Sequence, residues 1–235
     1  MNLTSELLDP LLSRDPKGPR ITHYNDRYGD DAGGERIELS TATLANWAAK
    51  TANLLRDELG AGPGTRVAVL LPSHWQSVAV LLGVWWIGAQ VVSSGPADIA
   101  LCTRERLDTA DELAGGGEVA VLSLDPFGKP AADLPVGVTD YATAVRVHGD
   151  QITPETAPGP ALDGRSAEQV LAAARQRAEV LGVSADDRVM TTTPLPVEDL
   201  LALLGAGASV VMVTDPDPAL LEHRAETEKV TRVLD

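Results

Sequence analysis

The sequence predicts an α/β fold of parallel sheets flanked by helices, and three observations carry that expectation. Between Gly60 and Pro96 a Gly/Pro turn leads into the apolar strand Arg66–Leu71. Pro72, Ser73 and His74 break it, an apolar helix runs on to Gly88, and a second strand covers Ala89–Val92. Neither strand nor helix has a polar face, as expected of elements covered on both sides in a parallel sheet. Strands and helices then keep alternating, the order from which strand–helix–strand units are built.

From the N-terminus, Arg20–Tyr24 and Glu35–Leu39 read as a hairpin around the polar turn Asn25–Gly34. Ser40 is placed to cap a helix in which Leu44, Trp47, Ala48, Thr51, Leu54, Leu55 and Leu59 form one face, ended by Gly60 and Gly62. After the opening unit come a strand at Asp98–Cys102, a helix at Arg104–Leu113, a turn at Gly115–Gly117 and a strand at Val119–Leu124. The stretch Asp125–Gly164 is rich in Pro, Gly and Asp, with a helical pattern only at Tyr141–Val147, and reads as a connector between lobes. Ser166 and Gln169 make a capping box for a helix through Leu181, with Val170, Leu171, Ala174, Ala178 and Leu181 inward and Gly182 closing it. Strands at Arg188–Thr193 and Ser209–Val213 flank a helix at Val197–Leu204, and Asp217 with Pro218 starts a last helix to about Lys229.

Composition excludes several functions. At 235 residues the chain can form one large domain or two lobes, and 44% hydrophobic with 23% charged residues is ordinary for a globular protein. A net charge of −15 repels phosphates, so neither nucleic acid nor an anionic membrane is expected as a partner. Glu6 and Asp9 stand where a signal peptide needs positive charge. The longest apolar run, Val78–Ala89, falls short of the roughly 18 residues of a membrane span. A cytoplasmic protein without a membrane span is expected. The single cysteine, Cys102, excludes an internal disulfide and any multi-cysteine metal site, and its apolar surroundings place it in the core.

The wording of Gly62–Pro72 (GPGTRVAVLLP) and Gly88–Pro96 resembles the opening of adenylate-forming enzymes, the acyl-CoA synthetases and peptide-synthetase adenylation domains. Leu39–Leu44, Ser166–Pro194 and Gly205–Val213 are similar to later pieces of the same enzymes, in order. The chain as a whole resembles a small family of truncated proteins of high-GC Gram-positive bacteria, similar to the N-terminal half of those enzymes. The resemblance implies lobe one mainly at 60–185 and an incomplete lobe two at 20–59 plus 186–235. It also implies that Ser209–Val213 is a bare sheet edge, because strands that flank it in relatives lie beyond Asp235. A second copy, another protein or the final helix would cover such an edge.

In active relatives a Ser/Thr/Gly-rich loop ending in Gly-Lys-Pro-Lys-Gly precedes the helix that here follows Ser166. Glycines there let backbone N–H groups surround phosphate while hydroxyls and lysine add contacts. The corresponding residues are Ala157, Pro158, Gly159, Pro160, Ala161, Leu162, Asp163, Gly164 and Arg165. Two prolines lack N–H donors, no Ser or Thr is present, and Asp163 repels phosphate. Relatives place a histidine or aromatic after the strand Arg188–Thr193, where Leu195, Pro196, Val197 and Glu198 stand. The sequence ends at Asp235, about halfway through the usual large domain, so the resemblance implies loss of the adenine, ribose and magnesium contacts and of the C-terminal catalytic lysine.

Other candidates are few. Phe127–Pro130 (FGKP) follows a strand, so Gly128 and Lys129 mimic a phosphate loop; Ser123 and Pro130 stand where the pattern needs Gly and Ser/Thr, and a β-turn is the alternative. His74 follows a strand C-terminus, where α/β sheets bind ligands, and is the ligand-crevice candidate, with a helix start as the alternative. His148–Asp150 reads as a polar turn, and His23, His74, His148 and His223 have no metal spacing. Trp75, Trp85 and Trp86 read as core. No G-x-S-x-G elbow is present, Gly60–Gly64 precedes rather than follows a strand, and the pairs Asp30–Asp31, Asp186–Asp187 and Asp215/Asp217 sit at turns or helix starts.

The expected function is a non-catalytic binding or scaffold subunit, with no catalytic residue, no metal and no cofactor, ATP and AMP included. The alternatives are an acyl- or nucleotide-binding component of an adenylating activity completed by another chain, and a globular protein acting through an unrecognised surface.

Overall fold

The computed structural model describes residues 1–27, 35–126 and 128–234. In chain order its elements are α1 (Leu3–Arg14), β1 (Pro19–Asn25), β2 (Glu35–Ser40), α2 (Thr41–Asp57), β3 (Arg66–Leu70), α3 (Trp75–Trp86), β4 (Gln90–Val92), β5 (Ile99–Cys102), α4 (Leu107–Ala114), β6 (Glu118–Val121), β7 (Thr139–Asp140), α5 (Tyr141–Ala144), α6 (Ala167–Leu181), β8 (Arg188–Thr191), α7 (Val197–Ala206), β9 (Ser209–Thr214), α8 (Pro218–Thr227) and β10 (Arg232–Leu234). They group into two compact units. One comprises Met1–Glu6, Ala45–Pro72 and Gln76–Val170, the other Leu7–Leu44, Ser73–Trp75 and Leu171–Asp235.

The first unit is built on a parallel sheet of order β4-β3-β5-β6-β7. The strand–helix–strand unit read from Gly60–Pro96 is present as β3, α3 and β4. Ala68, Ala100, Cys102 and Val121 of the strands pack with Leu107, Ala110 and Ala114 of α4. Helix α3 is buried along almost its whole length, which explains its lack of a polar face. It lies close to α2 at Gly83, where a Cβ would meet the Ala48 carbonyl oxygen and the Thr51 Cβ, both at 3.0 Å. The hydroxyl of the same Thr51 is 2.6 Å from that of the fully buried Tyr141.

Helix α1 was not among the expected elements. Leu3, Leu7, Leu8 and Leu11 recur at helical spacing and are all buried, a signal masked by Pro10 in the same stretch. Asn2 caps it, its Oδ1 accepting the Ser5 N–H at 3.2 Å. Its Nδ2 donates to the Trp86 and Trp85 carbonyls at 2.9 and 3.2 Å, and the Thr4 hydroxyl to the Leu82 carbonyl at 2.6 Å. The bond to Trp86 serves a carbonyl that the end of α3 leaves without an intrahelical partner.

The second unit holds a sheet of order β10-β8-β9-β1-β2, parallel except for the antiparallel pair β1–β2. The two hairpin strands are as expected; residues 28–34 of its turn, with the Asp30–Asp31 pair, lie outside the described residues. The edge expected at Ser209–Val213 is not one. β9 is interior, with β8 on one side and β1 on the other, Ile21 standing opposite Val210. The N-terminal strand fills the position that reading along the sequence left vacant, a pairing too distant for local patterning to reveal. Arg20 of β1 is buried, and its guanidinium donates to the Gly207 and Ala208 carbonyls at 2.6 and 2.9 Å. It thus places positive charge at the negative end of α7.

Behind β8, β9 and β1 lies an apolar layer of Tyr24, Met190, Val211 and Val213 against Leu221, Ala225 and Val230. A charge network closes it. The Glu228 side chain, 4% exposed, accepts the Tyr24 hydroxyl at 2.7 Å, Arg36 Nε at 2.8 Å and Arg188 Nη2. Arg224 pairs with Asp26 and lies 4.5 Å over the Tyr24 ring. Burial opposes ionisation of Glu228, but its three donors outweigh burial and hold its carboxyl at about 2.

Two expected outcomes follow. Glu228→Ala takes the shared carboxylate from the Tyr24 hydroxyl and the largely buried Arg188, while Arg36 keeps Glu38, and destabilises the protein by roughly 1–3 kcal/mol, read from urea unfolding at pH 7. Because its folded-state value is depressed, the Glu228 contribution is present above about pH 4.5 and is lost as pH falls through about 2. Gly83→Ala gains about 1 kcal/mol of helix propensity but pushes α2 backbone, so a lower melting temperature is expected.

Candidate functional site

The segment after β7 and α5 carries the positions that the resemblance matches to a phosphate loop. Ser166 and Gln169 form the predicted capping box at the start of α6, the Ser166 N–H donating to Gln169 Oε1 at 2.9 Å and the Gln169 N–H to Ser166 Oγ at 3.4 Å. Just before it, Asp163 and Gly164 both have positive φ, 46° and 77°. Leu162 and Arg165 bridge across them, with the Arg165 N–H donating to the Leu162 carbonyl at 2.9 Å. This is a two-residue hairpin turn, for which Asp-Gly is a preferred pair. That pair was the sequence signal for a tight reversal here, and the expected sequence pattern did not use it.

The donors of the segment are consumed by its own unit. The Ala157 N–H goes to Glu155 Oε1 at 2.8 Å and the Gly164 N–H to Gln90 Oε1 at 3.2 Å. The N–H groups of Gly159, Ala161 and Asp163 go to the carbonyls of Gly88, Arg165 and Val91 at 3.0, 2.7 and 3.0 Å. Leu162 donates to the Arg165 carbonyl at 3.4 Å, while Pro158 and Pro160 have no N–H. The Asp163 carboxylate accepts both the backbone N–H and the hydroxyl of Ser93, at 2.8 and 2.9 Å. The Ala161 carbonyl accepts Trp85 Nε1 at 2.8 Å. Gly159 sits against backbone, where a Cβ would lie 2.6 Å from the Gly64 nitrogen. Backbone amides of residues 157–166 therefore point inward or across the turn, not toward a common anion.

Gly128 and Lys129 form a separate turn; Phe127 between them and β6 lies outside the described residues. The Lys129 N–H donates to Asp125 Oδ1 at 3.1 Å, its carbonyl accepts the Ser123 hydroxyl at 2.6 Å, and the exposed ammonium is 4.0 Å from Asp125. That is the bonding of a capped turn, with a carboxylate beside the lysine. A shallow cleft of about 370 Å³ lies by Arg56, Gly62, Ile87, Thr153 and Glu155. Its guanidinium is already held by Asp57 and Asn53 at 2.7 and 2.8 Å.

His74 immediately precedes α3 and is buried against His23 of β1, a partner that the sequence did not suggest. The rings meet edge to face, centroids 4.4 Å apart. His23 Nε2 is 3.0 Å from the Thr214 hydroxyl. Burial lowers His23 to about 4, and burial with the neighbouring His23 charge lowers His74 well below its usual range. His148 instead contacts Glu58 at 2.8 Å. The three tryptophans Trp75, Trp85 and Trp86 are buried. Cys102 is buried too, and burial pushes its thiol up to about 11, away from nucleophilic use. Asp217 caps α8 through the Ala219 N–H at 2.9 Å. Asp187 accepts the N–H and hydroxyl of Ser184 at 2.8 and 2.9 Å. Among the described residues, no group of three His, Cys, Asp or Glu side chains gathers as a metal ion would require.

A protein of Mycobacterium tuberculosis described as a TIGR03089 family protein is 62% identical over 242 residues, covering 99% of this chain and 98% of its own length. The chain belongs to that family. The AMP-binding enzyme family matches residues 17–107. Among solved structures, an acyl-CoA synthetase of Brucella canis superposes with a TM-score of 0.78 at 19% identity, over 99% of this chain and 47% of its own. Acetoacetyl-CoA synthetase of Streptomyces lividans does so with 0.77, also at 19%, over 99% and 42%. The chain thus spans about half the length of the acyl-CoA synthetases it resembles and has the fold of their N-terminal portion. Among the described residues, no helix is long and apolar enough to cross a membrane.

Gly159→Ala forces its new methyl against the Gly64 backbone, and a cost of about 1–3 kcal/mol is expected. Hydrogen exchange at Ala161 and Asp163 should accelerate with it, since the same contact seats their hydrogen bonds.

Proposed function

We propose that this member of the acyl-CoA synthetase-like group is a non-catalytic binding or scaffold subunit working in the cytoplasm. The observation that carries the reading is the consumption of the N–H groups of residues 157–166 by internal acceptors. Adenylation needs donors and cations gathered on the triphosphate to stabilise charge as the phosphoryl bond changes. In the matching segment, prolines replace two donors and Asp163 adds negative charge, already bound to Ser93. Opening the turn to receive a phosphate would break several hydrogen bonds at once, each of which would have to be replaced.

Titration calorimetry of the intact chain with ATP and Mg²⁺, and with AMP, tests this. No saturable heat is expected up to millimolar nucleotide, and no pyrophosphate exchange with added carboxylic acids. Saturable binding accompanied by exchange would overturn the proposal.

A further inference from the structure

We propose that His23 and His74 form an acid-released latch holding the Ser73–Trp75 segment to the sheet of its own unit. The two rings are 2% and 5% exposed and meet edge to face. The hydrogen bonds around them run in one direction. The Leu195 N–H donates to Ser73 Oγ at 2.7 Å, and the Thr214 hydroxyl donates to the Ser73 carbonyl at 3.3 Å. With its single proton committed there, Thr214 can only accept from His23, so the proton of neutral His23 resides on Nε2. His23 Nδ1 is then a bare lone pair, buried and without a hydrogen-bond partner among the described residues.

Protonation adds an N–H at that position with no acceptor among the described residues to receive it, and a charge beside a second imidazole. The surrounding elements offer little relief. Opposite His23 in register stand Ile37 of β2 and Met212 of β9. β9 carries no ionisable residue, and the Ser73–Trp75 segment carries only His74. Arg36 and Glu38 flank Ile37 on the other face, paired with each other at 2.5 Å and, through Arg36, with Glu228. Arg20 and Tyr24 of β1 are bonded to the end of α7 and to Glu228. Glu35 stands one pleat further on, opposite Asn25. The linkage sign follows from lowered histidine values: the latch is intact above the unfolded value near 6.5 and is lost as pH falls toward about 4.

The test follows imidazole titration by NMR and amide protection factors of the full chain from pH 8 to 4.5, with the exposed ring of His223 as internal reference. Expected are rings of His23 and His74 that stay neutral well below the His223 midpoint. The protection factor of Leu195 should fall at least tenfold as they charge, while β5 amides of the other unit keep theirs. His74→Gln should remove most of that pH dependence. Thr214→Val keeps the shape of β9 and should lower Leu195 protection already at pH 8. Rings titrating with His223, Leu195 protection unmoved by their charging, or an unaltered pH dependence in His74→Gln would each overturn the latch.

Discussion

Backbone carbonyls at the end of α3 govern the first unit. A helix leaves its last carbonyls without partners, and here that end is buried. The Trp86 carbonyl accepts Asn2 Nδ2 and the Glu155 N–H, and the Gly88 carbonyl accepts the Gly159 N–H. Two distant segments, the start of α1 and the approach to α6, are therefore drawn to one place by the same deficit. Once residues 157–165 are bonded to one another and to the end of α3 and β4, their N–H groups are spent. The requirement that closes this unit also takes the donors a phosphate loop would use.

The second unit is organised around charge rather than orphan carbonyls. Glu228 gathers Tyr24, Arg36 and Arg188 from three strands and connects them to the end of α8. Arg20 performs a related task at the end of α7 with a single guanidinium. Both cases set an ionised group where several elements meet, so its neighbours must stay in register for it to remain paired. A frame shared with an acyl-CoA synthetase at 19% identity is specified by packing and pairing of this kind.

Local signals were legible and distant ones were not. The capping box at Ser166 and Gln169, the Asp217–Pro218 helix start and the apolar run of β3 and α3 each depend on residues a few positions apart, and each is present in the structure. The misplaced edge at β9 failed for the opposite reason, since its neighbour β1 comes from the other end of the chain. The His23–His74 contact depends on the same long-range pairing, so neither histidine carried a sign of the other. Helix α1 and strand β10 were missed through weak local signals, a proline in one and three residues in the other. The composition of Ala157–Arg165 pointed to a segment unlike a phosphate cradle, but the turn it makes became visible only through its bonds to α3 and β4.

The pairing of β1 with β9 also bears on how the chain reaches this state. Ile21 emerges early in synthesis and Val210 late, so β1 must wait for nearly the whole polypeptide before its parallel partner exists. Until then β1 has one side whose backbone groups are unpaired, a template for the wrong chain. Closing so long a loop is slow relative to local folding. The first unit, whose strands are near neighbours in sequence, can assemble while the hairpin waits. Crowded synthesis would therefore place the greatest demand for chaperone protection on β1, a strand that in the finished protein is paired on both sides.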